Sequence, residues 1–206
     1  DTDKGFTRFR SFLLKNNPEK VGEIPMQGNR IGNKIVLSKG DRLYLPKVAP
    51  GEYAVVRTKD SPQKGLKAKV LWWVGTIRVS ESNGDKAYNA EITQSFEAIY
   101  PKDEIVVRSF ALAPLALHTE VLGDDRKDEV SFVNIDSSLI TLSAEDHLIG
   151  ARFKNEAAGP SLGGLVNVYR DKDWVASAVL IDRDEDVGTF WVVDSKGEVL
   201  PTDRVE

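Results

Sequence analysis

The chain contains no cysteine and only two histidines among its 206 residues. Without cysteine, disulfides, zinc–thiolate sites, iron–sulfur clusters and cysteine nucleophiles are excluded. Because His118 and His147 are the only histidines, a histidine-rich metal site is excluded as well. No stretch reaches the roughly 20 apolar residues that a membrane-spanning helix needs. The chain is nevertheless long enough to bury a sizeable core without a metal or a disulfide.

A strong charge bias and a signal-peptide pattern are also missing. The formal net charge is −4, and 41% of the residues are hydrophobic while 29% are charged. This is a globular composition, and the negative charge argues against a dedicated nucleic-acid-binding protein. The first residues, Asp1 to Asp3, are polar, so we expect either a cytosolic protein or the mature form of an exported one.

One amphipathic helix is predicted, over Lys4–Asn16. Its apolar residues recur near helical spacing, Thr2 or Asp3 can cap its start, and Pro18 would stop it. We expect its aromatic face to close one end of a β-core. A partner-binding or membrane-surface helix is the alternative interpretation.

From Lys34 onward, short β-type runs alternate with turn residues. The longest run covers residues 69–80, and Asn83-Gly84 indicates a hairpin because both residues tolerate positive φ. Turns at such intervals are typical of a β-barrel or sandwich. No amphipathic helix interrupts the runs, which excludes βαβ units and the common nucleotide-binding sheets.

Four segments recur in the same order in the two halves of the chain, which indicates an internal repeat. They pair residues 35–43 with 140–148, 53–57 with 166–170, 73–79 with 175–181, and 99–105 with 199–205. The predicted fold is therefore mainly β, with two related small β-barrel-like modules in tandem and one N-terminal helix. The predicted domains are an N-terminal helix and linker (1–34), a first β module (35–108), a connecting segment (109–139) and a second β module (140–206).

Aspartates stand at corresponding turns of the two modules. A carboxylate in a turn can accept local backbone N–H bonds, so we predict that these residues shape turns and do not catalyse a reaction. They are Asp41, Asp103, Asp146 and Asp203.

Asp182, Asp184 and Asp186 alternate along the chain in the manner of a calcium-binding loop. Such loops have glycine at the sixth position and glutamate at the twelfth. Val187 and Val193 occupy those positions here. The segment is therefore predicted to be a solvated acidic hairpin, with a weak cation site as the alternative.

Lysines at positions 64, 67 and 69 precede the pair Trp72 and Trp73. Basic and aromatic side chains together can bind single-stranded nucleic acid, but the net negative charge favours a solvated lysine loop beside core tryptophans. Since neighbouring residues on a strand point to opposite faces, one of the two tryptophans is expected to be partly exposed.

Bases outnumber acids over residues 35–108, and acids outnumber bases from residue 140 onward. This asymmetry could favour head-to-tail stacking of copies or fix the orientation of a partner, and ordinary surface variation explains it equally well. No nucleophile motif, phosphate loop or metal-ligand spacing is found. His147 corresponds in the repeat to Arg42 and is predicted to lie on the surface. We therefore assign no catalytic, cofactor-binding or metal-binding residue, and no cofactor.

The repeated segments also carry a family resemblance. The runs SKGDRLYL (38–45), WVGTIRV (73–79) and FEAIYPKDEI (96–105) resemble the β-rich region that follows LysM in bacterial LysM-containing envelope proteins. The end of the chain, LPTDRV (200–205), resembles its continuation. A similar module occurs at the C-terminus of a flagellar outer-ring assembly protein. LysM itself is absent, because a strand follows 38–45 where LysM has a helix.

The resemblance implies a non-enzymatic scaffold or binding module of the periplasm or cell envelope. Its expected partners are peptidoglycan or other envelope proteins, without nucleic acid and without a transmembrane segment, and self-association is a further option. Two alternatives stay open. One is a glycan-processing enzyme with a site in the cleft between the modules, and the other is a nucleic-acid-binding pair of OB-like barrels.

Overall fold

The structure, a computed structural model, describes residues 9–26, 36–81, 88–107, 116–135 and 147–206. Within these ranges the chain forms strands and turns and no helix. The fold is all-β with two sheets, one of which curls into a half-barrel. The strands are β1 (Ser11–Leu14), β2 (Lys20–Glu23), β3 (Arg42–Leu43), β4 (Gly51–Asp60), β5 (Lys69–Val79), β6 (Ala90–Ser95), β7 (Glu104–Val106), β8 (His118–Thr119), β9 (Val130–Val133), β10 (Leu148–Phe153), β11 (Gly164–Arg170), β12 (Asp173–Asp184), β13 (Val187–Ser195) and β14 (Arg204–Val205).

The predicted N-terminal helix is wrong. Its described part contains the strand β1, and residues 4–8 lie outside the described residues. Phe12, Leu13 and Leu14 are consecutive and all buried, which suits a strand covered on both faces better than a helix with one apolar face. A short apolar run cannot be assigned from its spacing alone, and here tertiary contacts decide in favour of the strand.

Contacts divide the chain into two compact units. What we call the C-terminal unit draws its described residues from Asp1–Asn16, Lys59–Val70 and Leu112–Glu206, and the central unit draws them from Asn17–Thr58 and Leu71–Ala111. Each unit has its own cluster of buried hydrophobic side chains. The domain boundaries predicted after residues 34, 108 and 139 fall outside the described residues.

The two sheets repeat one strand order. In the first sheet the path is β2-β7-β4-β5-β6-β3, and in the second it is β14-β11-β12-β13-β10-β9. Matching β7, β4, β5, β6 and β3 with β14, β11, β12, β13 and β10 makes five consecutive places agree. The structure thus supports the repeat that the sequence predicts. The hairpin turn predicted at Asn83-Gly84 lies outside the described residues.

In two of the four repeated segments, however, the predicted correspondence between residues of the two halves is shifted by one position. The N–H of Phe96 donates to the carbonyl of Val74, and the N–H of Lys196 donates to that of Val175. A bulge follows Thr76 in β5 and Ser177 in β12. Val74 therefore corresponds to Val175, so the counterpart of Trp73 is Trp174 and not Val175.

The same displacement affects the segment that ends in β3 and β10. The N–H of Ile92 donates to the carbonyl of Asp41, and the N–H of Val192 donates to that of His147. His147 thus corresponds to Asp41, which corrects its predicted match with Arg42. Its side chain is exposed, so the surface position predicted for it is confirmed.

Candidate functional site

The turn before β7 is held by a buried aspartate of the central unit. Nε and Nη2 of Arg57 donate to the two carboxylate oxygens of Asp103 at 2.9 and 2.8 Å, and Nη2 also donates to the carbonyl of Ala98 at 3.2 Å. The same carboxylate accepts the backbone N–H of Tyr100 at 2.8 Å. One acid therefore closes the turn and anchors β4 through Arg57.

The turn before β14 repeats this arrangement in the C-terminal unit. Arg170 donates through Nε and Nη2 to Asp203 at 2.8 and 2.9 Å, and through Nη2 to the carbonyl of Glu198 at 2.8 Å. The backbone N–H of Leu200 donates to Asp203 at 2.8 Å. We call the two arrangements the Arg–Asp turns. The hydrogen bonds from their arginines are the main cause that raises the pKa of both guanidinium groups, Arg57 and Arg170.

The predicted turn-shaping role of these aspartates is confirmed for the three that the structure describes. Asp103 and Asp203 are buried, and Asp41 accepts the backbone N–H of Ser38 at 2.7 Å. Asp146 lies outside the described residues. Each of the three carboxylates accepts a backbone N–H from its own turn.

The acidic segment predicted as a hairpin is one, between β12 and β13, and it holds the end of β1. The backbone N–H groups of Lys15 and Asn16 donate to Asp184 Oδ2 at 2.8 and 2.7 Å. Lys15 Nζ pairs with Asp186 at 2.8 Å, and the Asn16 amide donates to Glu185 at 2.8 Å. The lysine hydrogen bond is the main cause that lowers the pKa of Asp186. The carboxylates therefore bind this chain's own N-terminal segment and do not face solvent alone.

The alternative of a cation site at this hairpin gains no support. Among the described residues, no group of three or more acids, histidines or cysteines is arranged to hold a metal ion. Asp182 is buried within β12 and is not part of the hairpin tip. Lys15 already supplies a positive charge beside Asp186.

An open depression beside the hairpin is bordered by a loop that Arg183 holds. The guanidinium group of Arg183 donates to the carbonyls of Ala158 and Glu156 at 2.7 and 2.6 Å, and its central carbon lies 4.1 Å from the centre of the Phe153 ring. Burial lowers the pKa of Arg183. The depression has both charge signs on its walls and thus presents no single ligand chemistry. It is lined by Lys15, Asn155, Glu156, Ala157, Glu185 and Asp186.

The two neighbouring tryptophans lie in different environments. Trp73 is buried, its indole N–H donates to the carbonyl of Gly75 at 2.8 Å, and its ring meets Phe96 edge-on at 4.6 Å. Trp72 is partly buried against the core of the central unit. The prediction that one of the two is partly exposed is confirmed for Trp72. Lys64 is exposed, as a solvated lysine loop requires.

A cluster that the sequence did not indicate joins β8 to the loop before β11. Ser161 Oγ donates to Glu120 Oε2 at 2.7 Å and lies 3.0 Å from His118 Nε2. His118 Nδ1 lies 3.0 Å from the carbonyl of Ala116. Gly163 makes this approach feasible, because a Cβ there would lie 2.6 Å from that same carbonyl oxygen and its φ is +83°. We call His118, Glu120 and Ser161 the β8 cluster.

The charges of the β8 cluster are mutually stabilising. The hydrogen bond to the Ala116 carbonyl, with a further contribution from Glu120, raises the pKa of His118. Partial burial acts to raise the pKa of Glu120, but the hydrogen bonds from Ser161 and His118 outweigh it, so that the net shift is downward. When it is protonated, the His118 ring can donate from Nδ1 to the Ala116 carbonyl and from Nε2 to Ser161 Oγ, beside the Glu120 carboxylate. Serine and histidine lie 43 positions apart in the sequence, and no spacing motif could have joined them.

In the described part of the chain, no helix has the length and apolar character needed to cross a membrane. No protein-family model matches the chain, and no curated protein sequence matches it. A functional assignment therefore depends on the chain's own contacts.

Proposed function

We propose that this chain is a non-enzymatic scaffold or binding module of a bacterial cell envelope, associated with peptidoglycan or with a periplasmic multiprotein assembly. In this proposal each repeat is a small barrel-like module, and the two modules stand in tandem. The proposal rests on the resemblance of the repeated motifs and on the way their polar residues are used.

The acids that could have served catalysis have structural partners. Asp103 and Asp203 close the Arg–Asp turns, and Asp184 and Asp186 hold the end of β1. The oxygens of these carboxylates already accept hydrogen bonds from this chain's own backbone, arginines or lysine, which commits them to structural contacts. This use of the acids supports a module that binds over one that reacts.

The observation that carries a binding function is a difference between the repeats. Tyr44 and Tyr100 of the central unit are 50% and 43% exposed, and their counterparts in the C-terminal unit are Gly150 and Leu200. The guanidinium carbon of Arg57 lies 5.2 Å from the centre of the Tyr100 ring. An exposed tyrosine offers an apolar face and a hydroxyl, which together suit a sugar ring. Peptidoglycan supplies such rings.

The test is co-sedimentation of the purified chain with insoluble peptidoglycan, at low and at high salt. We expect pelleting that persists in high salt and that the double substitution Tyr44→Ala and Tyr100→Ala removes. Leu162→Ala is the matched control, because Leu162 is also 50% exposed but lies in the C-terminal unit. Absence of pelleting at any salt concentration would remove peptidoglycan as the ligand and leave protein partners.

A second candidate function, a serine-dependent hydrolase, is favoured by the β8 cluster alone. Ser161 Oγ is within hydrogen-bond distance of an imidazole nitrogen and of a carboxylate. The hydrogen bonding opposes this interpretation, since Ser161 Oγ donates its proton to Glu120 Oε2 and not to the imidazole that would act as the general base. Covalent labelling of the chain by a fluorophosphonate, lost in Ser161→Ala, would replace the binding proposal with an enzymatic one.

A further inference from the structure

Exposed apolar side chains flank β8, a strand at an open edge of its sheet. Leu117 and Val121, which flank the strand, are 54% and 76% exposed, although most large hydrophobic residues of the unit are buried. No described residue pairs with this edge, because the described pairing of β8 is with β11. An edge strand with apolar side chains is a ready site for adding another strand.

The hydrogen bonds of β8 show which backbone groups face outward. The N–H of His118 donates to the carbonyl of Gly163, and the N–H of Glu120 donates to that of Leu165. In a strand the polar groups of successive residues point to alternate sides. The N–H and C=O groups of Thr119 therefore point away from β11, toward the open edge. The same alternation, continued one step beyond the hydrogen-bonded residues His118 and Glu120, assigns the groups of Leu117 and Val121 to that side as well.

The segment Leu117–Val121 is complementary to itself when it is read in the opposite direction. An antiparallel pair centred on Thr119 places Leu117 of one chain opposite Val121 of the other, and His118 opposite Glu120. Each apolar residue then meets an apolar residue, and each imidazole meets a carboxylate. The three outward-facing residues also fall on the hydrogen-bonded positions of an antiparallel ladder.

We infer that β8 pairs with β8 of a second copy of this chain, antiparallel and about a two-fold axis at Thr119. This is an isologous interface, in which the same patch serves both chains. It is short compared with a standard stable interface, so the dimer forms in a concentration-dependent equilibrium. The inference does not depend on the proposed function, and a monomeric chain could still bind peptidoglycan.

Cysteine cross-linking tests the register directly, because the chain has no cysteine of its own. At a hydrogen-bonded antiparallel position the two Cα atoms lie about 5.5 Å apart, within the range that a disulfide spans. Under mild oxidation, we expect Thr119→Cys to give covalent dimers alone. Val121→Cys alone should stay monomeric, and a mixture of Leu117→Cys with Val121→Cys should cross-link. Cross-linking of Val121→Cys alone, or of none of these, would overturn the inference.

Charge substitution provides an independent test by sedimentation velocity from micromolar to millimolar concentration. Leu117→Lys and Val121→Glu should each abolish the dimer, and the double variant should restore it, because every lysine then faces a glutamate. Leu162→Lys serves as the control, since it adds a charge at a similarly exposed residue outside the strand. A wild-type chain that is monomeric at all concentrations, or a double variant without rescue, would contradict the proposed pairing.

Discussion

The central and C-terminal units share a hydrogen-bonded framework and differ in what is attached to it. Five strands follow the same order in both sheets, and both contain an Arg–Asp turn. Only the C-terminal unit includes β1, whose residues bind the acidic hairpin, and only the central unit exposes Tyr44 and Tyr100. The repeated part is thus a shared framework, while the parts that differ are the candidates for separate tasks.

The largest expected effect concerns the strand that only the C-terminal unit has. Leu13 is fully buried, its N–H donates to Thr189 Oγ1 at 2.9 Å, and its side chain closely approaches Gly150. Leu13→Ala leaves a cavity and should lower the free energy of unfolding by about 3 kcal/mol. Urea denaturation, with amide exchange in β12 and β13 as the local readout, measures the loss.

Leu162→Ala is the control for this substitution, because Leu162 belongs to the same unit, is 50% exposed and lies outside the proposed β8 pairing. A loss of less than about 1 kcal/mol in Leu13→Ala, well below the cost of a core truncation, would mean that β1 is dispensable and that the unit folds without it.

The second prediction tests the element that both units share. Asp103→Ala and Asp203→Ala each remove an acceptor for an arginine and for a turn N–H, and each should cost about 2–3 kcal/mol. The Asn variants keep one acceptor oxygen and should cost less. Unequal losses would break the equivalence of the Arg–Asp turns. Chemical denaturation of the four variants decides between these outcomes.

The third prediction is that substitution by glycine changes the free energy of unfolding in opposite directions at the two Arg–Asp turns. Lys102 has a φ of +74°, a conformation that favours glycine, whereas its counterpart Thr202 is not among the described residues with positive φ. Lys102→Gly should therefore raise the free energy of unfolding by about 0.5–1 kcal/mol. Thr202→Gly should lower it by a similar amount, about 0.5–1 kcal/mol, because glycine there only adds freedom to the unfolded chain.

Lys102→Ala separates strain from charge in this comparison. Alanine removes the lysine charge but keeps a Cβ, so the strained backbone stays and no gain is expected. If Lys102→Ala stabilises the chain as much as Lys102→Gly, the backbone conformation is not the cause. Thermal unfolding of the three variants under one buffer condition is sufficient.

The Arg–Asp turns show what the sequence could reveal. Arg57 and Arg170 end matching apolar runs, and Asp103 and Asp203 follow a proline by two positions, so the repeat and the turn role follow from local pattern. Register did not follow, because β5 and β12 are apolar on both faces. A shift by one residue therefore leaves a similar pattern, although it exchanges the faces. Aligning Trp73 with Trp174 in the sequence would have given the correct correspondence between β5 and β12.

β1 and the β8 cluster mark the limit of local pattern. Phe12, Leu13 and Leu14 are buried on both faces by strands far away in the chain, and a four-residue run carries no period by which to distinguish strand from helix. His118 and Ser161 meet only because β8 lies parallel to β11. Parallel contacts between distant segments leave no mark on the spacing of residues.

The smallest expected effect is the pH dependence of the contacts that hold β8. Like β1, β8 has no counterpart among the five matched strands of the central unit. The Ala116 carbonyl and Glu120 raise the pKa of His118 above 6.5. Because the pKa of His118 is raised in the folded chain, the stabilisation that its protonated ring gives to the folded state is complete below pH 6.5. This stabilisation is lost as the pH rises through the folded-state pKa. Glu120 has a lowered pKa, so its contribution disappears on the acidic side. The attachment of β8 is therefore strongest at pH values between the folded-state pKa values of Glu120 and His118.

An NMR titration of the His118 ring should give a pKa above 6.5, and Glu120→Gln should lower it. A pKa that does not move in Glu120→Gln would show that the carboxylate does not sense the imidazole, and attachment of β8 would then depend on its backbone hydrogen bonds to Gly163 and Leu165 alone.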